Sequence, residues 1–220
     1  MRQGKNGSCP RGIYLDLDST LFDTTNYFVG SIEVHFGRKV RLTTKSLRER
    51  FGETGQNVPF WKTPEIQAHI QELHLGEEAN LCIPPIDGAL EAIREISQII
   101  EIAGYLSARP QSLLRATEQS LEEHDFPKAP IILRPTNVPL LEGTAGWKAG
   151  ILAEKKRVLG IIDDSPGMIS ALGSRYHGTL FLFGPQSKAD MRKALKHRNI
   201  VPLPRWSTAP DRIKKHFMGI

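Results

Sequence analysis

The chain has 220 residues, of which 40% are hydrophobic and 24% are charged, as in an ordinary soluble globular protein. Its two cysteines, Cys9 and Cys82, are too few for a disulfide scaffold. No apolar run approaches the roughly 18 residues that span a bilayer, and the polar stretch 1–11 lacks the apolar segment of a secretory signal. We therefore expect a cytoplasmic protein that is not embedded in a membrane.

The net charge of +5 is concentrated near the end of the chain. Residues 183–220 contain nine Lys and Arg against Asp190 and Asp211, so this segment carries +7 and the rest of the chain −2. Such a distribution is typical of solvated helix faces, and it also suits a surface that attracts anionic substrates or nucleic acid.

In chain order, the first element predicted is a buried parallel strand at 12–17, an apolar run that ends in acidic residues. No buried strand is evident between Asp23 and Pro85. Three helical patterns occupy this region instead, at 27–35, 44–51 and 64–73, the last with Thr63 as N-cap and Pro64 at its first position. The sequence thus predicts a small helical insert at 24–85.

Strands and helices alternate after the insert. Asp87 is the predicted N-cap of a helix that precedes an apolar run at 99–106, and Pro110 is predicted to begin a helix that reaches residue 123. Further strands are predicted at 130–133, 158–162 and 179–183, and further helices at 146–154, from Ser165-Pro166, and at 187–197. Alternation of this kind predicts an α/β fold, a Rossmann-like core with a parallel sheet flanked by helices, formed by 1–23 and 86–220.

Polar residues follow three of the predicted strands. The first strand ends in Asp16-Leu17-Asp18-Ser19-Thr20, the second in Ser107-Ala108-Arg109, and a later one in Asp163-Asp164. In parallel sheets, ligands bind outside the carboxyl ends of the strands, so these groups are expected to meet. Carboxylates form covalent phosphoryl intermediates and supply the hard oxygen ligands that Mg²⁺ prefers, so the set suits phosphoryl transfer.

These motifs, with Lys148 in the helix before the Asp163 strand, resemble those of the haloacid dehalogenase (HAD) superfamily of phosphohydrolases. Asp16, Asp18 and Thr20 match the Asp-x-Asp-x-Thr signature. Ser107 stands in the second motif, where threonine is more usual, and Asp163-Asp164 form the paired acids of the fourth. The insert at 24–85 lies where these enzymes carry a helical cap.

The resemblance implies a Mg²⁺ cofactor and distinct roles for the acids. Asp16 would be the nucleophile and a metal ligand, and Asp18 would protonate the leaving group, activate water and bind the metal through its backbone carbonyl. Asp164 would complete the metal site. Asp163 would either share that role or orient the ligands.

The same resemblance gives roles to the residues around the phosphoryl group. Ser107 would hold its oxygens together with the amide of Ala108, and Lys148 would neutralise the intermediate. Thr20 and Arg109 are predicted to contact the substrate. Arg109 has a second reading, in which it pairs with an acid and braces the loop, and Ser107 could serve only as a helix cap.

Other assignments stay open. The Pro that often follows the motif lysine is missing after Lys148, so Lys155 and Lys156 are rivals. Trp61 and Phe60 of the insert could contact a leaving group or pack the insert on the core.

The sequence thus predicts a magnesium-dependent phosphatase that acts on a phosphate monoester, a small metabolite or nucleotide, through an aspartyl-phosphate. The cap, the Ser-Pro after the paired acids and the ending at 201–206 loosely resemble the 5′-deoxyribonucleotidase branch, whereas Ser107-Ala108-Arg109-Pro110 is similar to branches acting on polynucleotide ends or phosphatidate. Two alternatives are a polynucleotide-end phosphatase that uses the basic C-terminal face and a non-catalytic module on this fold. The oligomeric state cannot be read from the sequence.

Overall fold

The computed structural model describes residues 11–37, 58, 61–139, 143–155, 157–172 and 176–219. Six strands form one parallel sheet in the order β3-β2-β1-β4-β5-β6. The strands are β1 (Gly12–Leu15), β2 (Glu101–Pro110), β3 (Ile131–Arg134), β4 (Val158–Asp163), β5 (Thr179–Phe183) and β6 (Ile200–Leu203). The predicted α/β fold with a parallel sheet is confirmed.

The described helices surround this sheet or belong to the insert. They are α1 (Thr24–Phe36), α2 (Pro64–Leu75), α3 (Glu77–Cys82), α4 (Ala89–Ile99), α5 (Leu114–Glu123), α6 (Thr144–Glu154), α7 (Gly167–Ala171), α8 (Lys188–Ala194) and α9 (Ala209–Met218). Short 3-10 helices precede α5 (Gln111–Leu113) and α9 (Trp206–Thr208). No described helix is long and apolar enough to cross a bilayer.

Strand β1 lies at the centre of the sheet, and its four residues are all buried. Ile13 and Leu15 face one hydrophobic core, while Tyr14 faces a second core on the opposite side. This alternation follows from the two-residue period of a strand, and burial of both faces explains why the run is continuously apolar.

The sheet register brings three strand ends together. Leu15 lies opposite Tyr105 of β2 and Ile162 of β4, so the residues that follow each of them reach the same edge. The chain passes from β1 outward to β2 and β3 on one side and to β4, β5 and β6 on the other. The point where β1 separates the two halves is the position at which such sheets bind ligands.

The insert contributes α1, α2 and α3, which match two of its predicted helices and add one. Thr63 and Pro64 take the predicted cap and first positions of α2. Trp61 is buried with Ile32 and Ile66 in a hydrophobic cluster within the insert, consistent with a packing role. The predicted helix at 44–51 and Phe60 lie outside the described residues.

Four local predictions need correction. Asp87 does not cap α4, because the cap is Gly88 in a left-handed conformation with φ of 77°. Pro110 ends β2 rather than beginning a helix, and α5 starts only at Leu114 after a 3-10 turn. Helix α7 begins at Gly167 with Pro166 as its cap, so the predicted N-cap, Ser165, lies one residue before the observed cap.

The fourth correction is strand β6, which the sequence did not predict. It pairs with β5 only and leaves Pro202 on the sheet edge, where a missing N–H is tolerated. After it, Trp206 and Ile213 anchor α9 to the hydrophobic core on the α4 side. The nine cations of 183–220 are all exposed on α8, α9 and the connecting segments.

Candidate active site

A tight turn after β1 sets the positions of Asp16 and Asp18. The N–H of Asp16 donates to the carbonyl of Ile162 at 2.9 Å, which continues the β1–β4 pairing by one residue. The carbonyl of Leu17 then accepts N–H groups from the three residues 20–22, and Ser19 adopts a positive φ of 59°. The chain therefore reverses within a few residues, and both carboxylates stay at the carboxyl edge of the sheet.

Three buried carboxylates converge at this edge. Oxygen atoms of Asp16, Asp163 and Asp164 all lie within 4.8 Å of one another. Lys148 enters from α6, and its Nζ lies 2.8 Å from Asp16 Oδ1 and 2.8 Å from Asp163 Oδ2. Asp163 also accepts the N–H of Ser165 at 2.8 Å, which fixes its second oxygen.

The electrostatics of this triad are unbalanced. When all three acids are ionised, a single ammonium leaves two negative charges in a buried site. Burial raises the pKa of Asp16 well above its usual value; Lys148 opposes that rise, and the Asp163 and Asp164 carboxylates add to it. Burial lowers the pKa of Lys148, but the two carboxylates outweigh it, so the pKa lies above its ordinary value and the amine stays charged.

This donor set fits a divalent cation. Three carboxylates supply hard oxygen ligands, and a charge of 2+ would cancel the excess negative charge that the triad and Lys148 leave. The structure thus contains a buried acidic triad able to bind a metal.

Thr20 does not face open solvent but positions Asp164. Its hydroxyl donates to Asp164 Oδ1 at 3.3 Å and accepts the Asp164 N–H at 3.1 Å. Two residues that sequence reasoning missed support this pair: Gln186 donates to the carbonyl of Asp164 at 2.9 Å, and the indole N–H of Trp206 donates to the carbonyl of Thr20 at 2.9 Å. Substrate contact by Thr20 stays a prediction.

Ser107 is fully buried at the end of the regular β2 ladder. Its Oγ accepts the backbone N–H of Arg109 at 3.2 Å, and the carbonyl of Ala108 accepts a bond from Arg134 Nε at 2.9 Å. A hydroxyl that accepts one N–H still has its own proton to donate. Ser107 therefore keeps a hydroxyl proton that it can donate.

Arg109 grips Asp18 through both carboxylate oxygens. Its Nε lies 3.2 Å from Oδ1 and 3.1 Å from Oδ2, and its Nη2 lies 2.9 Å from Oδ1. Thr24 also donates to Asp18 Oδ1 at 2.7 Å, and the guanidinium lies over the Phe22 ring. Burial raises the pKa of Asp18, but Arg109 and these hydrogen bonds hold it below its usual value. Of the two readings of Arg109, the structure shows the acid-bracing contact.

The candidate lysines for the third motif differ in what they contact. Lys148 contacts the acids, whereas Lys155, at the end of α6, places its Nζ 5.7 Å from the centre of the Tyr14 ring. Lys156 lies outside the described residues.

The insert contributes one titratable group that the sequence did not single out. His74 of α2 packs edge-on against Phe28 of α1, with ring centres 4.6 Å apart. Burial lowers the pKa of His74, and the charge of Asp18 acts against this. Because Thr24, the first residue of α1, donates to Asp18 Oδ1, the start of the insert lies on the Asp18 side of the site.

No protein-family model matches the sequence, and no curated protein matches it. Solved structures share its fold at low identity. A haloacid dehalogenase-like hydrolase from Streptococcus pneumoniae is 14% identical with a TM-score of 0.61, covering 95% of this chain and 99% of its own. A HAD family hydrolase from Deinococcus radiodurans, which holds phosphate and sodium, is 16% identical with a TM-score of 0.58, covering 94% and 96%.

The shared fold is not confined to proteins described as hydrolases. The protein tyrosine kinase A of Mycobacterium tuberculosis is 14% identical with a TM-score of 0.60, covering 97% of this chain and 100% of its own. Activity must therefore be argued from the site. What the comparisons establish is that this chain has the fold of the HAD-like hydrolases.

Proposed function

We propose that this protein is a HAD superfamily phosphatase that hydrolyses a phosphate monoester through an aspartyl-phosphate on Asp16. The observation that carries the proposal is the placement of Lys148, 2.8 Å from both Asp16 and Asp163, with Asp164 in the same cluster. This combination supplies a nucleophile, its counter-charge and ligands for a cation at the ligand-binding edge of the sheet. A HAD family hydrolase of the same fold holds phosphate, which agrees with the proposal.

The proposed reaction has two displacements at phosphorus. An oxygen of Asp16 attacks the phosphorus, the bond to the leaving oxygen breaks, and that oxygen takes a proton from Asp18. Asp18 must first bind this proton against the effect of Arg109, which lowers its pKa. Water then attacks the phosphorus, Asp18 takes a proton from it, and the bond to Asp16 breaks to release inorganic phosphate. The Ser107 hydroxyl and the Lys148 ammonium hold the phosphoryl oxygens throughout.

Asp16, Asp164 and the backbone carbonyl of Asp18 would hold Mg²⁺, with Asp163 beside them. The cation, when bound, supplies charge that reduces repulsion between the anionic nucleophile and the anionic ester. Asp163 is already engaged by Lys148 and the Ser165 amide, so we assign it to orienting the ligands.

The insert at 24–85 is proposed to act as a cap. Its first residue, Thr24 of α1, donates to Asp18 Oδ1 at 2.7 Å, so the start of the insert lies at the acid that would protonate a leaving group. A cap that closes over the site encloses the substrate and excludes water. This favours a small metabolite or nucleotide, which fits inside the closed site.

The test is hydrolysis of an aryl phosphate with and without Mg²⁺ by the native chain, Asp16→Asn and a control, Asp87→Asn. Asp87 is an exposed acid whose side chain makes no ion pair or hydrogen bond among the described residues. We expect metal-dependent turnover in the native chain and the control, and none in Asp16→Asn. In the native chain, the peptide that contains Asp16 should also gain one phosphoryl group after rapid quenching. Full activity in Asp16→Asn would refute the mechanism.

Substrate choice is then resolved with a panel of ribonucleotides, 2′-deoxynucleoside 5′-monophosphates, sugar phosphates and oligonucleotides with a terminal phosphate. A preference for the oligonucleotides, with an affinity that falls steeply as the salt concentration rises, would show that the substrate is a polynucleotide and not a small molecule. Binding of such ligands without turnover of any would indicate a non-catalytic module.

A further inference from the structure

Arg134, the last residue of β3, is buried but has no carboxylate partner among the described residues. Its relative exposure is 7%. Its Nε donates to the carbonyl of Ala108 at 2.9 Å and its Nη1 donates to the carbonyl of Val138. The guanidinium thus joins the end of β2 to the loop that follows β3.

The end of β2, which Arg134 contacts, contains a bulge. Ser107 pairs with Leu133, but the next pair is Pro110 with Arg134, so Ala108 and Arg109 are extra residues that the ladder leaves unpaired. Backbone groups that lose ladder partners need others. Arg134 supplies one for the carbonyl of Ala108.

The peptide unit between Ala108 and Arg109 is therefore held at both ends. Arg134 holds its carbonyl, and Ser107 Oγ accepts its N–H at 3.2 Å. Rotation of this peptide would withdraw the N–H from Ser107 and free the hydroxyl to turn. It would also move the base of the Arg109 side chain, whose guanidinium is paired with Asp18.

We propose that Arg134 is a positioning residue that acts through the Ala108–Arg109 peptide to aim the Ser107 hydroxyl at a bound phosphoryl group and to keep Arg109 on Asp18. The inference rests on the proposed function, because it takes Ser107 as a phosphoryl donor. Arg134 itself touches neither the substrate nor the carboxylate triad. The guanidinium of Arg134 ties the end of β2 to the loop after β3, because a single planar cation bonds to carbonyls of both.

The variants are Arg134→Gln, which removes the charge, and Arg134→Lys, which keeps the charge but replaces the planar fork with a single ammonium. Arg115→Gln is the matched control, because Arg115 is exposed on α5. A misplacement of about 1 Å near reacting atoms costs up to about 100-fold in rate. We expect both Arg134 variants to lose about 10- to 100-fold in kcat/KM and to bind inorganic phosphate more weakly, with Arg115→Gln unchanged.

The decisive readout is a double-mutant cycle with Ser107→Ala. If Arg134 acts through the Ser107 hydroxyl, adding Arg134→Gln to Ser107→Ala costs much less than it does in the native chain. Independent, multiplying losses would overturn the action of Arg134 through Ser107, and native behaviour of Arg134→Lys would overturn the whole proposal. If Arg134→Gln fails to fold, the cycle is run with Arg134→Lys, and thermal unfolding corrects each rate for the folded fraction.

Calorimetric binding of inorganic phosphate separates the two proposals. Weaker binding in the Arg134 variants would support the positioning role even if the native chain turned over no phosphate ester, which would refute the proposed function alone. Equal phosphate affinity in native chain and variants would refute the positioning role, whatever the turnover.

Discussion

Replacing Asp16 by Asn should stabilise the metal-free protein while it abolishes catalysis. Asp16 is repelled by Asp163 and Asp164 within 4.8 Å and attracted by Lys148 at 2.8 Å. At an effective dielectric constant of about 20, each repulsion is about 3.5 kcal/mol or more and the attraction about 6 kcal/mol. The repulsions win by about 1 kcal/mol, to which the cost of burying the charge adds. We expect the free energy of unfolding to rise by about that amount in Asp16→Asn.

The assay is urea unfolding of the native chain, Asp16→Asn and Asp87→Asn in a chelating buffer between pH 4 and pH 8. The folded state raises the pKa of Asp16, so its charge destabilises the fold above that raised pKa and ceases to do so as the carboxyl is protonated. The gain in Asp16→Asn should therefore be largest at pH 8 and shrink as the pH falls. A variant less stable than the native chain at pH 8, with Asp87→Asn unchanged, would refute the electrostatic argument.

Four further substitutions test other parts of the structure. Lys148→Met leaves two buried carboxylates without their cation and should cost about 3–5 kcal/mol in urea unfolding at pH 7, with partial recovery at lower pH. Trp206→Phe removes the donor to the Thr20 carbonyl and should cost about 1–3 kcal/mol in thermal unfolding. Gly160→Ala places a methyl group 2.6 Å from the Thr179 carbonyl oxygen and should lower the free energy of unfolding. In Gly146→Ala, on α6, the added methyl group meets nothing within 4 Å, so the free energy of unfolding should rise by up to about 1 kcal/mol.

The sequence predicted the centre of the site because local pattern and topology agree there. A buried parallel strand reads as a continuous apolar run, as in β1 and β4, and its end is marked by the first charged residue. Since parallel strands end at one edge, Asp16, Ser107 and Asp163 could be expected to meet without any knowledge of strand order. Lys148 was found through its helix and motif context.

The residues that brace the site could not be predicted in the same way. Arg134 and Trp206 lie 26 and 186 residues from the carbonyls they bind, so no local pattern connects them. Strand β6 was missed because two prolines interrupt a short run, and only an edge position makes Pro202 acceptable. The Asp87 prediction failed because a left-handed Gly88 begins α4 without a side-chain cap.

The pKa values of two carboxylates only two residues apart are shifted in opposite directions, and this predicts how the proposed activity depends on a divalent cation. Burial raises the pKa of Asp16, whereas Arg109 outweighs burial at Asp18 and lowers its pKa. These environments oppose the protonation states that the proposed first displacement requires, which are an ionised Asp16 and a protonated Asp18. Asp16 must be ionised to attack, so without a divalent cation the fraction ready to react falls with falling pH. Added Mg²⁺ should shift the acidic limb of the kcat profile of the native chain to lower pH. An acidic limb that stays in place as Mg²⁺ is raised to saturation would show that the cation is not held by Asp16.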